Sequence, residues 1–342
     1  MKNLIDKLEQ HKILERDELK ELLVYDGDYL FERARYTARN IYGDKIFARG
    51  LIELTNYCKN DCCYCGIRRS NKQVERYRLT KEQVLDCCKT GYGLGFRTFV
   101  MQGGEDGYYT DEVLIELINE IKAEYPDCAV TLSMGERSRE SYKKLFDAGA
   151  DRYLLRHETA NDLHYSELHP PEMTLAHRKE CLLNLKEIGY QVGCGFMVGS
   201  PGQTLEHITE DLLFIKGLDP AMVGVGPFVP HSDTPFAKEQ AGDLRLTLNV
   251  LAILRLMKPN LLIPATTALG SIDAKGRESA VLAGANVIMP NLSPVHVRKK
   301  YLLYDNKIST EGETADNFSK IKKSMKNIGY DIISARGDYV DL

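Results

Sequence analysis

Residues 56–70, NYCKNDCCYCGIRRS, hold four of the chain's nine cysteines. Cys58, Cys62 and Cys65 are spaced C-x3-C-x2-C, and Cys63 lies in the last gap. Thiols set this way can pair as disulfides, bind zinc or hold an iron–sulfur cluster. Disulfide frameworks belong to small secreted domains, not to a chain of 342 residues with an intracellular profile. Zinc sites usually take four Cys or His ligands, often from two paired knuckles, and no second C-x2-C exists in this sequence. A cubane cluster normally takes four thiolates. Three on one short loop suit a cubane with one iron left open to a small molecule. Cys63 reads as a loop thiol packed beneath such a cluster. Cys87, Cys88, Cys128, Cys181 and Cys194 stand in apolar stretches, where a free thiol behaves as a small buried hydrophobe.

Something rigid has to carry that loop. Short apolar runs at 50–56, 97–103, 128–134, 151–156, 190–199, 221–228, 261–267 and 285–291 read as strands. Between them lie stretches such as DEVLIELINEIKAEY and LEHITEDLLFIKGL, with apolar residues three or four apart as on one helix face. Glycines in DAGADRY, KEIGYQV and LAGANVI stop helices just before strands. The expected fold class is α/β, a (β/α)8 TIM barrel. It spans residues 46–301, with N-terminal helices over 1–45 and a short C-terminal extension over 302–342. Chemistry in such barrels gathers at the C-terminal ends of the strands. There the chain places QGGED, SMGE, RHETAN, GSPGQT, GPFVPHSDTP and ATTALG.

Composition narrows the function classes. A net charge of −4 with no long Lys/Arg run gives no electrostatic footprint for nucleic acid. No run reaches the roughly 18 apolar residues of a membrane span. The N-terminal segment MKNLIDKLEQHKILERDELKELL is a charged amphipathic helix pattern without the apolar core of a signal peptide. A cytoplasmic protein is expected.

With Tyr64 before the last cysteine, the C-x3-C-x2-C loop resembles the radical S-adenosylmethionine superfamily. In that superfamily three cysteines hold a [4Fe–4S] cluster whose open iron is chelated by the cofactor's amino and carboxylate groups. One electron then releases methionine and a 5′-deoxyadenosyl radical. Within it the chain resembles the HydE family of [FeFe]-hydrogenase maturases more than biotin synthase or methylornithine synthase. The matching stretches include CGIRR, ERYRLT, TLSMGE, AGADRYLLRHETAN, MVGSPGQT, VGPFVPHSDTP, IPATTALG and GANVIMPN.

The resemblance implies a role for each rim segment. Gly103, Gly104 and Glu105 would hold the methionyl amino group, although relatives often carry a serine at the first glycine. Glu158 and Arg178 would form an opposite-charge pair, the carboxylate on the ribose hydroxyls and the guanidinium on the methionyl carboxylate. Ser133 would add a hydroxyl, and Met289 and Tyr301 would pack near the adenosyl side. The substrate would sit among Arg49, Thr131, Arg152, Thr266 and Thr267, which suit anionic oxygens or cyanide-like acceptors. An Arg–Glu structural bridge inside the barrel is the plainer reading of the two arginines. His157 and His231 border the rim without an assigned role. No cysteine follows Cys194, so only one cluster is expected.

The implied enzyme acts on a cysteine-bound iron precursor carrying CO and cyanide. It needs a one-electron donor and works beside other hydrogenase maturases. A radical enzyme on a small amino acid or carboxylate, like biotin synthase or methylornithine synthase, stays open as an alternative. A non-catalytic iron–sulfur carrier is a third reading, but it has no use for the GGE segment or for Glu158 and Arg178.

Overall fold

The computed structural model describes residues 1–308 and 317–341. Three helices come first: α1 (Lys2–His11), α2 (Arg16–Leu23) and α3 (Tyr29–Tyr42). The chain then alternates through β1 (Lys45–Ala48), β2 (Gly50–Thr55), α4 (Lys81–Gly93), β3 (Thr98–Gly103), α5 (Asp111–Glu124), β4 (Ala129–Ser133), α6 (Arg139–Asp147) and β5 (Arg152–Leu154). Next are α7 (Asp162–Leu168), α8 (Leu175–Ile188), β6 (Gln191–Val198), α9 (Leu205–Leu218), β7 (Met222–Pro227) and α10 (Leu244–Met257). The remainder is α11 (Thr267–Ile272), α12 (Gly276–Leu282), β8 (Val287–Ile288), α13 (Val295–Arg298), α14 (Phe318–Asn327) and β9 (Asp331–Ile333). The outer helices start where a side-chain oxygen takes an otherwise unpaired amide: Thr80, Thr110, Ser138, Thr174, Thr204 and Asp243 each accept the N–H three residues on.

Strands β2 to β7 pair in chain order, all parallel. The ring closes through two short stretches. Leu262 donates its N–H to the Ala221 carbonyl at 3.0 Å, and Ala265 donates to Val287 at 2.9 Å. Leu51 donates to Pro290 at 2.9 Å, and Leu292 donates back to Leu51 at 2.7 Å. The expected eight-stranded ring is therefore present. Its seventh member, 261–265, forms bridges and no full ladder, because Pro264 has no N–H to give. The Asn286 carboxamide oxygen takes the Ile263 N–H at 2.8 Å instead.

Two elements depart from expectation. The first strand begins at Lys45, and its lower half, β1, pairs with β8 on one side and with β9 on the other. Strand β9 lies in the C-terminal extension, beyond the eight strands read from the sequence. It is three residues long and pairs across nearly the whole chain, so no local pattern marks it.

Register settles what faces the barrel axis. Ile52, Leu54, Phe99, Met101, Val130, Leu132, Tyr153, Val192 and Phe196 belong to the large apolar core, shared with α1–α3 and the outer helices. The alternate positions point inward: Glu53, Thr98, Gln102, Thr131, Ser133, Arg152, Gly193, Gly224 and Gly226. TIM barrels usually fill this space with branched apolar layers. Here apolar Leu51, Val100, Ala129, Leu154 and Met222 share the axis with these polar residues and glycines, and a Cβ built on Gly224 meets nothing closer than 3.9 Å.

Residues 336–340 strap the N-terminal mouth of the barrel. Arg152, fully buried, donates to Asp338 Oδ1 at 2.5 Å, to the Arg336 carbonyl at 3.0 Å and to Thr98 Oγ1 at 2.9 Å. Arg49 Nη2 donates to the Gly337 carbonyl at 3.3 Å. Gly337 sits at φ 61, and a Cβ there would lie 2.6 Å from the Phe47 ring. Among the described residues no helix is long and apolar enough to cross a membrane.

Burial works against the Asp338 carboxylate, but Arg336 and Arg152 hold its pKa down at about 2. Its stabilising contribution is complete above the ordinary carboxylate range near 4 and fades as pH falls towards 2. Asp338→Ala should lower unfolding free energy by about 2 kcal/mol at pH 7, with the difference from wild type shrinking below pH 3. Denaturant titrations at the two pH values measure this, and equal midpoints at pH 7 would remove the strap's structural role.

Candidate functional site

The loop after β2 is drawn closed by one guanidinium. Arg76 donates to the carbonyls of Ile67 at 2.8 Å, Arg68 at 2.7 Å and Asn71 at 3.0 Å, and also to Asn56. Asp61 accepts from Arg68 Nε at 2.7 Å and from the Ser70 N–H at 3.0 Å. The Cys63 N–H reaches the Leu168 carbonyl at 2.9 Å, and the Gly66 N–H reaches Leu303 at 2.9 Å. Cys58, Cys62, Cys63 and Cys65 are half-buried free thiols, while Cys87, Cys88, Cys128, Cys181 and Cys194 are buried.

Burial raises the pKa of every loop thiol. Cys65 goes to about 12, helped by the neighbouring Cys58 charge, and Cys62 goes well above its ordinary value, helped by Cys65 and Cys58. For Cys58 the rise is opposed by hydrogen bonds from the Asn60 and Glu105 backbone and by Arg76. Thiols that resist ionisation together become thiolates only when metal compensates them. Among the described residues no three His, Cys, Asp or Glu side chains assemble a single-ion site. A cubane meets each thiolate on a separate iron, so its ligands do not have to converge on one point.

The neighbouring rims join the loop through a chain of contacts. The Lys59 N–H donates to the Glu105 carbonyl at 2.9 Å. Glu105 Oε2 lies 3.0 Å from Lys59 Nζ, and its Oε1 accepts the Glu136 N–H at 3.1 Å. Arg178, on α8, donates to Glu136 at 2.6 Å and to the Arg156 carbonyl at 2.7 Å. Although burial opposes it, the surrounding Tyr165, Glu136 and Tyr64 raise the Arg178 pKa, so this cation is permanent. Arg156 lies 3.0 Å from Glu158 Oε2, which makes no hydrogen bond. The anticipated Glu158–Arg178 pair is thus corrected: Arg178 pairs with Glu136, and Glu158 faces Arg156. Glu136 and Arg178 reach each other because α8 starts beside the β4 rim.

Glu158 sits at φ 66, a region that non-glycine residues rarely adopt. Bonds on either side hold it there. Its N–H donates to the Gly195 carbonyl at 3.0 Å. The Gly195 N–H donates to His157 Nδ1 at 3.3 Å, and His157 Nε2 meets Asp211 at 3.2 Å. Asp211 also takes the Ala160 N–H at 2.5 Å. Burial pushes the His157 pKa down to about 3, so the ring is neutral and fixed as a bridge. Backbone strain of this kind clusters at functional sites.

The other anticipated residues are spread along the barrel axis. A Cβ on Gly104 would lie 2.2 Å from the Tyr57 carbonyl and 2.8 Å from Cys58 Cβ, so only glycine fits against the cysteine loop. Gly103 packs on Met134, and Ser133 ends β4 facing inward. Tyr301 is buried beneath the loop with its hydroxyl 3.3 Å from Gln102 Nε2. Met289 packs on Tyr42, Phe47, Met222, Leu262 and Val287 in the lower barrel, away from the cysteines. Thr267 bonds the Tyr304 hydroxyl at 2.6 Å. Thr131 Oγ1, Thr266 Oγ1 and Arg49 Nε are buried without a hydrogen-bond partner. Such orphans carry a desolvation penalty that a polar ligand would relieve. Arg152 lies lower still, bound by the strap.

Sequence reasoning did not assign Glu136, Arg156, Arg76 or Asp211. The first two had a usable signal. Glu136 closes the SMGE stretch, and Arg156 continues the inward alternation of β5.

Residues 52–215 match the Radical SAM superfamily, the class that three cysteines on the C-terminal rim of a parallel barrel define. The chain is 46% identical over 319 residues to the [FeFe] hydrogenase maturase subunit HydE of Thermotoga maritima, covering 92% of this chain and 90% of that protein. It is 31% identical over 281 residues to the 3-methylornithine synthase of Methanosarcina acetivorans, covering 80% and 79%. The crystal structure of methylornithine synthase (PylB) superposes with a TM-score of 0.84 at 27% identity, over 96% of this chain and 97% of that one. The chain belongs to the HydE family of radical SAM enzymes. The superfamily works with a [4Fe–4S] cluster and S-adenosylmethionine.

The site fits those groups: spread thiols on one loop, a glycine cradle beside Cys58, a fixed cation and an unbonded Glu158 oxygen. Gly104→Ala should displace the loop, lowering stability by about 1–3 kcal/mol and reducing iron bound on anaerobic reconstitution. Full iron loading in this variant would show that the close approach of the β3 rim does not set the cluster's seat.

Proposed function

We propose that the protein is a HydE-type radical enzyme of [FeFe]-hydrogenase active-site assembly, acting on a cysteine-bound iron precursor that carries CO and cyanide. The 46% identity over 92% of the chain carries this reading. Cys58, Cys62 and Cys65 hold one cluster. No cysteine follows Cys194 to hold a second, and the middle of that tail, 309–316, lies outside the described residues. When bound, cluster and cofactor supply one-electron cleavage of the sulfonium to methionine and a 5′-deoxyadenosyl radical.

The chain's own residues orient and shield. Gly103, Gly104 and Glu105 receive the methionyl ammonium. Arg178, with Nε and Nη1 committed to protein acceptors, offers Nη2 to the methionyl carboxylate. The strained Glu158 takes the ribose hydroxyls, and Ser133 and Tyr301 complete the adenosyl side, whereas Met289, expected there, lies too low in the barrel to take part. Below them, Thr131, Thr266 and Thr267 line the substrate chamber above a floor of Arg49 and Arg152. Burial, and then the nearby Arg152 charge, pull the Arg49 pKa well down. A cyanide or carboxylate ligand in the chamber would offset both effects. An external one-electron donor and companion maturases complete the setting.

A second reading, a radical enzyme on an amino acid, is favoured by the likeness to 3-methylornithine synthase. Anaerobic incubation with the iron–cysteine precursor, set against a panel of amino acids, separates the two by which substrate accelerates 5′-deoxyadenosine release.

Cys62→Ala should lose the cluster's visible absorption and all dithionite-driven 5′-deoxyadenosine. Retained cleavage would overturn the ligand set. Thr266→Val should keep substrate-free cleavage and slow substrate-dependent turnover about tenfold, the equivalent of one hydrogen bond. An unchanged substrate-dependent rate would move the chamber elsewhere.

A further inference from the structure

A cleft of about 330 Å³ opens on the outer side of the cysteine loop, lined by Tyr57, Cys58, Arg69, Lys72, Val74 and Arg76. It shares Cys58 with the rim site, but Glu105, Glu158 and Arg178 take no part in it. Its charge is distinctive. Between Tyr57 and Arg76 stand five basic residues (Lys59, Arg68, Arg69, Lys72 and Arg76) against two acidic ones (Asp61 and Glu75). From outside the segment Glu105 reaches Lys59 at 3.0 Å and Glu172 reaches Arg69 at 3.8 Å, which leaves Lys72 and Arg76 without a carboxylate partner among the described residues. Asp61 is absorbed by Arg68 and Glu75 by Lys300. Arg76 spends its donors on backbone carbonyls and faces no carboxylate among the described residues. Lys72 is exposed and makes no ion pair among the described residues. Arg69 is 58% exposed, with Glu172 no nearer than 3.8 Å.

We propose that this cleft is where an acidic one-electron carrier protein docks to reduce the cluster through its Cys58 edge. The inference rests on the functional reading above and adds the partner's chemistry and place. The carrier loses one electron and the cluster passes from [4Fe–4S]2+ to [4Fe–4S]1+, with no bond made or broken. Cys58 lines a surface opening whose walls carry Arg76 and Lys72, neither with a carboxylate partner among the described residues. A small anion would call for preorganised donors with free valence. Arg76 has given its own to the loop, and Arg69 and Lys72 are exposed side chains that no hydrogen bond among the described residues holds in place for a small ligand. That combination suits a small, transient, electrostatically steered interface. Tyr57 and Val74 supply the apolar contact at its centre.

The test uses the reconstituted holoprotein and an acidic flavodoxin, whose semiquinone absorbs apart from the cluster. Calorimetry gives the affinity of the oxidised flavodoxin, and stopped-flow gives the rate of cluster reduction by its hydroquinone. Both should be strong at low salt and weaken steeply as salt screens the patch. The double variant R69E/K72E should bind and be reduced about tenfold more weakly at low salt. Its reduction by dithionite should match wild type, and K143E, on the far helix α6, should change nothing.

Equal affinity and equal flavodoxin-driven rate in R69E/K72E overturn the proposal. So does a parallel loss of dithionite reduction, which would assign these residues to holding the cluster. Phosphate binding in the cleft with flavodoxin affinity unaffected would give it to a small anion and overturn it too. Failure of the functional reading is distinct: wild type would then release no 5′-deoxyadenosine with dithionite.

Discussion

A parallel strand turns every second side chain to the barrel axis, and what stands at those positions decides whether the barrel is a solid or a vessel. In this chain they include Glu53, Thr98, Gln102, Thr131, Ser133, Arg152 and a file of glycines, with only a few apolar residues such as Leu51 and Val100 among them. The apolar mass is displaced outward, where the alternate residues pack beneath α1–α3 and the barrel helices as one continuous core. Stability therefore comes from the outer shell, and the axis is left free to hold polar cargo. Buried orphans such as Thr131 Oγ1 and Thr266 Oγ1 are tolerable because the surrounding shell is well packed.

The rim follows the same logic at higher charge density. Three thiols held out of water beside one another resist ionisation, and the loop that presents them would spring open without Arg76 across its carbonyls. The cation on Arg178 is fixed by Glu136 and an Arg156 carbonyl. Glu158 is left strained, its Oε2 facing Arg156 without a hydrogen bond. The arrangement is preorganised, with reorganisation already complete before a ligand arrives.

What could be read from the chain beforehand follows from range. The strand alternation, the helix stops and the cysteine loop are local, and eight parallel strands emerged from them. The rim stretches QGGED, SMGE and RHETAN were legible because each follows a strand directly. Partner choice was not. Glu158 and Arg178 read as a pair, yet Glu136 lies beside the helix that carries Arg178, a relation only packing creates. Strand β9 and the strap were invisible for the same reason: three residues pairing with Lys45–Phe47 leave no periodic trace. His157 looked unremarkable, and its value lies in Gly195 and Asp211, 38 and 54 positions away.

The strap has a temporal consequence. Synthesis is vectorial, so Arg49 and Arg152 emerge from the ribosome long before Gly337 and Asp338 exist to receive them. Until then the nascent barrel carries two buried-to-be cations with an open floor and an unpaired β1 edge. Closing that floor is a late event by necessity, and a chaperone or a premature stop would act on an almost complete but unlatched barrel.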